Sequence, residues 1–326
     1  MSDINIGWWN LENLFDSENA SRPSELKSRL KRELKGWSAA VRNRKIAQLA
    51  SIIEMMFDGE GPDLLGVCEV ENEAIVERLA NAINLPGRNY QVVAHESPDA
   101  RGIDVSFIVD SNTLSATDTD HQVIVKRTPT RDLFCAKFTL NGGGPTFAAI
   151  ANHWPSRTAG QYQSEPFRML TGETLAFVIA ELLYGDNGDK DTPIVVMGDF
   201  NDEPFNRSMQ EYLLGTRDPG RVRFSKSGHL LNLMWPLMRG DDPGTYLFKS
   251  NWNMLDQILV SYPLVRRTGP LRVKQDSIEI SRPDILKGSS GRPLRFGRPS
   301  RDSLNEDGYS DHFPVTVKLE WTDAPT

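Results

Sequence analysis

Short runs of branched and aromatic residues recur along the whole chain. They cover residues 4–9, 63–69, 90–94, 105–109, 133–140, 147–153, 194–199, 256–260 and 315–320, and their length and composition predict β-strands. Between the early runs the apolar positions change period. Ile46, Leu49, Ile53 and Met56 fall three and four apart, and Ile75, Leu79 and Ile83 four apart, the spacing of one helix face. A third helix is predicted from about Phe167 to Leu183, before the turn sequence Gly185-Asp186-Asn187-Gly188. Strands that alternate with helices early and late, around a block of adjacent strands, predict mixed sheets covered by helices. No fixed-period repeat is visible.

Composition narrows the class. With 326 residues, 39% hydrophobic and 25% charged, the chain can bury a sizeable core, which excludes a disordered or fibrous protein. Its length favours one large domain over residues 1–326. The formal net charge of −7 excludes a protein that holds nucleic acid by overall charge, so any polyanion contact must be local. Two stretches read as basic insertions. Residues 22–45 carry Arg22, Lys27, Arg29, Lys31, Arg32, Lys35, Arg42, Arg44 and Lys45 against Glu25 and Glu33, which a solvated face explains as well as a function does. Residues 266–301 carry ten cations, among them Arg292, Arg295, Arg298 and Arg301, against three acids. That second stretch leads directly into Ser310-Asp311-His312 and is expected to face a polymeric phosphate backbone.

No apolar run is long enough to cross a bilayer, and the amino end reaches its first strand without a signal-like stretch, so a cytoplasmic location and no membrane contact are expected. Cys68 and Cys135 each lie inside an apolar run. Core packing is expected of both, rather than a disulfide or a metal site.

The informative positions are strand ends. The run Ile194–Met197 stops in Gly198-Asp199-Phe200-Asn201-Asp202, where the glycine is expected to let the chain turn, and a period of two puts Asp199 and Asn201 on one face. The run from Asp63 to Cys68 ends at Glu69, and the first run ends at Asn10, with Glu12 two residues later. Each is an oxygen donor of the kind Mg²⁺, Mn²⁺ or Ca²⁺ prefers. Taken singly, each is also an ordinary turn or cap residue. Two of the five histidines, His153 and His312, end or flank strands. His312 follows an aspartate directly, and Asp256 begins another strand. A carboxylate beside an imidazole sets its tautomer and raises its basicity.

Seven segments, in order along the chain, resemble the endonuclease/exonuclease/phosphatase superfamily. They are Trp9-Asn10-Leu11-Glu12, Cys68-Glu69-Val70, Arg101-Gly102-Ile103-Asp104-Val105, Asn152-His153-Trp154-Pro155-Ser156-Arg157, Gly198-Asp199-Phe200-Asn201, Leu255-Asp256-Gln257-Ile258 and Ser310-Asp311-His312. The resemblance implies a four-layer α/β sandwich, two packed mixed β-sheets flanked by helices, with the site at one end between the sheets. It implies that Asn10, Glu69 and Asp311 surround a divalent ion, with Glu12 a weaker candidate because the family often has Asp there. It places Asp199 and Asn201 beside the attacked phosphorus and pairs Asp256 with His312. His153 matches the branch similar to deoxyribonuclease I and the bacterial nucleases, which disfavours an abasic-site endonuclease. In that branch Asp104 falls where a carboxylate orients the second histidine, and Arg131 falls near a phosphate-binding arginine.

Phosphodiester hydrolysis needs a positioned water, neutralised nonbridging oxygens and a protonated leaving group. The residues above can divide that work, and the leading expectation is a divalent-metal-dependent nuclease acting on DNA, with RNA as the alternative polymer. A phosphatase or phosphodiesterase for a small or lipid phosphoester is the second reading. A catalytically silent binding module is the third, disfavoured because every expected site position is filled. No protein partner can be inferred.

Overall fold

A computed structural model describes residues 2–240, 242–288 and 290–322. In the first sheet β1 (Ser2–Leu14) runs parallel to β2 (Leu64–Val70) and antiparallel to β16 (Val315–Trp321). On one side β4 (Asp104–Asp110) and β3 (Tyr90–Ala94) extend it, and on the other β14 (Leu271–Val273) and β15 (Glu279–Ile280) both pair with β16. The second sheet starts with β5 (Leu114–Gln122), β6 (Leu133–Leu140), β7 (Thr146–His153) and β8 (Ile194–Asp199). It continues through β13 (Asp256–Val260), β10 (Leu230–Asn232) and β9 (Gly215–Thr216). A ribbon of β11 (Tyr246–Phe248) and β12 (Asn251–Asn253) stands apart. The helices are α1 (Ser24–Leu30), α2 (Ala39–Met55), α3 (Glu73–Ala82), α4 (Gln161–Tyr184) and the short α5 (Pro219–Arg223).

Alternation along the strands builds the layers. In β1, Ile4, Ile6 and Trp8 point between the sheets, where they meet Phe107, Phe134, Phe138, Met197 and Ile258. Trp9 and Leu11, on the opposite face, pack with Ile46, Leu49 and Ile53 of α2 and Ile75 and Leu79 of α3. Ile150 and Val196 of the second sheet pack with Leu175 and Ile179 of α4. The order helix, sheet, sheet, helix is the four-layer α/β sandwich that the family resemblance implies, and it contains the helix-covered mixed sheets expected from the strand and helix pattern.

Both cysteines are free and buried, Cys68 between the sheets and Cys135 under α4. Replacing either by Ser, a hydroxyl with no ready partner in an apolar layer, is expected to cost about 1–3 kcal/mol. Urea unfolding should register that loss while turnover of the folded variants stays at the wild-type rate.

The structure differs from the sequence reading in several places. β5 reads Ser-Ala-Thr-Asp-Thr-Asp-His-Gln after Leu114 and is almost wholly exposed. An edge strand with both faces wet has no apolar alternation to detect. Residues 22–45 are not one polar insertion, since α1 and the start of α2 lie within them and Leu30, Leu34, Trp37 and Lys45 are buried. The third difference concerns the basic stretch 266–301, much of which is neutralised by distant acids. Arg266 pairs with Asp191 at 2.8 Å, Arg272 with Glu320 at 2.7 Å and Lys274 with Asp3 at 2.6 Å. Arg298 and Arg301 both pair with Glu33.

Candidate active site

Strand register assembles one row of chemistry at the end of the second sheet. His153 is opposite Asp199 across β7 and β8, and Asp199 is opposite Asp256 across β8 and β13. Gly198 makes the close approach of β7 possible, because a Cβ there would sit 2.7 Å from the Cβ and carbonyl oxygen of Asn152. The turn expected of that glycine is taken instead by Asn201, at φ 49°. Its N–H donates to Asp199 Oδ1 at 2.9 Å and its Nδ2 to the Trp154 carbonyl at 3.1 Å. Glu12 and Glu69 also have positive φ, 51° and 61°. Such conformations cost about 1–3 kcal/mol each in non-glycine residues and cluster at functional sites.

Asp256 is buried and receives three donors: Trp8 Nε1 at 2.9 Å, the Thr245 hydroxyl at 2.6 Å and His312 Nδ1 at 2.6 Å. The neighbouring Trp9 donates its Nε1 to the His312 carbonyl at 2.9 Å. Tyr246 stacks on the imidazole with ring centroids 4.7 Å apart. Burial opposes a charge on His312, but Asp256, Asp199 and Asp311 overcome it and lift the pKa to about 10. Burial is also the main influence on Asp199, which is raised, with Asp256 adding to the effect.

His153 has the opposite environment. Burial, then the charges of Arg131 and Arg101, hold its pKa well below the ordinary value. Its Nε2 lies 3.8 Å from Asp199 and 3.9 Å from Glu69, and its buried Nδ1 has no hydrogen-bond partner among the described residues. The Asp104 carboxyl accepts the N–H and hydroxyl of Ser97 on Oδ1 and makes no hydrogen bond to His153 among the described residues. Burial pushes the Asp104 pKa up to about 7. Arg131 is buried and bonded within the chain. Its guanidinium donates to the carbonyls of His153 at 3.2 Å and Trp154 at 3.0 Å, and to Asp99 at 3.2 Å, so it fixes the backbone that carries His153.

The oxygen donors gather at the end of the first sheet. Asn10 donates Nδ2 to Asp199 Oδ2 at 3.0 Å, joining the two groups. The carboxylate of Glu69 is only 14% exposed and accepts no hydrogen bond among the described residues. Asp311 lies 3.8 Å from Arg295, and burial, with Glu12 and Glu69 nearby, raises its pKa. A half-buried pair of carboxylates that accept no hydrogen bond among the described residues suits a hard divalent cation. Glu69, Asp311 and the Asn10 amide would hold such an ion.

Glu12 is not part of that open set. Its carboxylate accepts Arg295 Nε and Nη2 at 2.9 and 2.7 Å and the N–H groups of Phe296 and Gly297 at 2.9 and 3.2 Å. Four donors turn this residue into the anchor of the Arg295 loop. Arg298, paired with Glu33 and only 12% exposed, serves the same loop and presents no free cation. Sequence reading missed Lys45, which sits wholly buried below the cluster and donates Nζ to the Glu12 carbonyl at 2.7 Å. Burial lowers its pKa to about 8. Its helical register beside Ile46 and Leu49 was the available signal, hidden by its basic neighbours. Beside Asp311 lies a cavity of about 300 Å³ whose lining includes Tyr246, Arg292, Leu294, Arg295 and Asn305.

Residues 5–321 match the sequence profile of the Endonuclease/Exonuclease/phosphatase family. The chain belongs to this family. It is accordingly a metal-dependent phosphoester hydrolase. No curated protein matches the chain, whereas solved structures do. It is similar to the human nocturnin catalytic domain at 17% identity and TM-score 0.56, over 98% of this chain and 94% of that one. A mannosyl-6-phosphatase of Bacteroides thetaiotaomicron is similar at 16% identity and TM-score 0.57, over 98% and 100%. A family member from Bacteroides vulgatus is similar at 16% and 0.58, over 99% and 100%. At these identities the likeness is one of fold. No helix among the described residues is long and apolar enough to cross a membrane.

Proposed function

We propose that this enzyme is a nuclease that hydrolyses a phosphodiester of DNA or RNA by attack of water on phosphorus, with Mg²⁺ as its natural metal and Mn²⁺ or Ca²⁺ as the alternatives. The observation that carries the reading is the split between the two histidines. They flank Asp199, yet one is held as an imidazolium and the other neutral. Opposed pKa environments within one site are how acid and base roles are assigned.

Asp199, raised toward neutrality, accepts the proton of the attacking water. His312, held by Asp256, faces the phosphoryl group as a cation and stabilises the charge that develops there. Asn201 and Asn10 fix the Asp199 carboxylate by the bonds described above. His153, neutral and backed by the Arg131-held backbone, is a hydrogen-bonding group for the opposite side of the phosphate. A divalent ion held by Glu69, Asp311 and Asn10 would neutralise the nonbridging oxygens.

Of the cations 266–301, Arg292 is the exposed one that borders the cavity beside Asp311 and has no ion pair among the described residues. It suits a phosphate next to the scissile one. Arg292→Gln is expected to weaken nucleic-acid binding and to reduce the magnitude of the salt slope by about 0.7–0.9, while leaving hydrolysis of a small aryl phosphodiester unchanged. Salt titrations of both proteins measure this.

The neutralisation of most of the other cations favours a second reading, a small phosphomonoester substrate, which a mannosyl-6-phosphatase of the same fold illustrates. One panel separates the readings: plasmid DNA, single-stranded DNA, RNA and small phosphomonoesters, each with Mg²⁺ or Mn²⁺. Cleavage of nucleic acid that excess chelator abolishes is expected. Hydrolysis confined to the phosphomonoesters would establish the second reading, and no hydrolysis of any substrate in the panel would overturn both and place the substrate among other phosphoesters.

A further inference from the structure

Away from the row of catalytic candidates, the edge strands of the two sheets come together, and two imidazoles and a carboxylate converge there. His95 directly follows β3, the last strand of the first sheet, His121 lies on β5 at the edge of the second, and Asp132 directly precedes β6. One ligand atom from each lies within 4.8 Å of the other two. His95 Nε2 is 3.0 Å from Asp132 Oδ2, and the two imidazole rings stack with centroids 3.9 Å apart. Asp132 is 3% exposed, and its second oxygen, Oδ1, is sealed from solvent with no hydrogen-bond partner among the described residues. A carboxylate oxygen buried without a donor is costly. A cation would satisfy it.

We propose that His95, His121 and Asp132 form a second metal site, outside the active site, that takes one zinc-class divalent ion. Two imidazole nitrogens and one carboxylate oxygen are the donors such ions prefer, whereas Mg²⁺ and Ca²⁺ prefer oxygen alone. His121 is exposed and His95 half-buried, so the cluster is open to solvent on the His121 side. The three ligands come from separate segments, so the ion ties the β3 edge of one sheet to β5 and β6 of the other. It also braces the support of His153. Asp132 adjoins Arg131, which holds the His153 and Trp154 carbonyls, and His95 opens the loop whose Asp99 meets Arg131 and whose Ser97 meets Asp104.

Co²⁺, which absorbs visibly in four-coordinate nitrogen and oxygen sites, tests this in metal-stripped protein. A large excess of Mg²⁺ occupies the oxygen-donor site during the titration. The wild type is expected to take up one equivalent of Co²⁺, to release it to Zn²⁺ and to melt higher with Zn²⁺ present. His121→Ala, an exposed change that does not threaten folding, is expected to lose all three responses while its turnover with Mg²⁺ equals that of the wild type. No uptake by the wild type, or equal uptake by His121→Ala, would overturn the proposal. The readout is binding, so it is independent of which phosphoester the active site cleaves.

Discussion

Asp199→Asn is expected to lower kcat by roughly 10²–10⁴-fold, the range associated with a positioned acid or base, and to leave the protein at least as stable as the wild type. The second half distinguishes loss of chemistry from loss of fold. Burial and the nearby Asp256 raise the folded-state pKa of Asp199 above its ordinary 3.8. A carboxyl whose folded pKa is raised contributes stability that is fully present below the unfolded value and is lost as pH rises through the folded one. At pH 8 the ionised side chain therefore works against folding. The Asn variant removes that charge and can still accept the Asn201 N–H. Urea unfolding at pH 8 should show a gain that shrinks toward pH 4, alongside the collapse of turnover. A variant that kept near-normal turnover would remove Asp199 from the chemistry. One that lost turnover and stability together would make it a structural residue.

The sequence revealed the site where local motifs end a strand, because an apolar run followed by Asp, Asn, Glu or His is visible without tertiary knowledge. Asp199, Asp256 and His312 do come together, from β8, from β13 and from the turn before β16. What it could not show are partners that a sequence does not display. Glu12 and Arg131 are consumed by backbone N–H and carbonyl groups, which every residue carries and no motif records. The Asp104 carboxyl accepts the Ser97 N–H, a contact no motif records. The basic stretch misled for a related reason, since charge counted along the chain ignores acids such as Asp3, Asp191 and Glu320 that the fold delivers from far away. The sequence assigns no role to the Trp8 and Trp9 side chains, yet their indoles hold both members of the Asp256–His312 pair.

Asp256→Asn is expected to abolish turnover at pH 8 and to restore part of it at lower pH. His312 is needed as a cation, so rate falls as pH rises through its pKa. In the wild type that fall lies near the alkaline end, at about 10. Burial is the largest influence on His312 and opposes its charge, and Asp256 is the largest influence in favour. Replacing the carboxylate by an amide leaves an oxygen for the Trp8 or Thr245 donors but removes the charge that sustains the imidazolium. Each pKa unit lost corresponds to about 1.4 kcal/mol of that support. The alkaline limb of kcat should therefore move down through the neutral range in Asp256→Asn and be absent in His312→Gln, whose residual rate should not follow this limb. NMR titration of the His312 ring gives the same shift without reference to activity. An Asp256→Asn variant whose ring still titrated near 10 would show that Asp199 and Asp311 suffice, and Asp256 would then be left only with holding the imidazole in place.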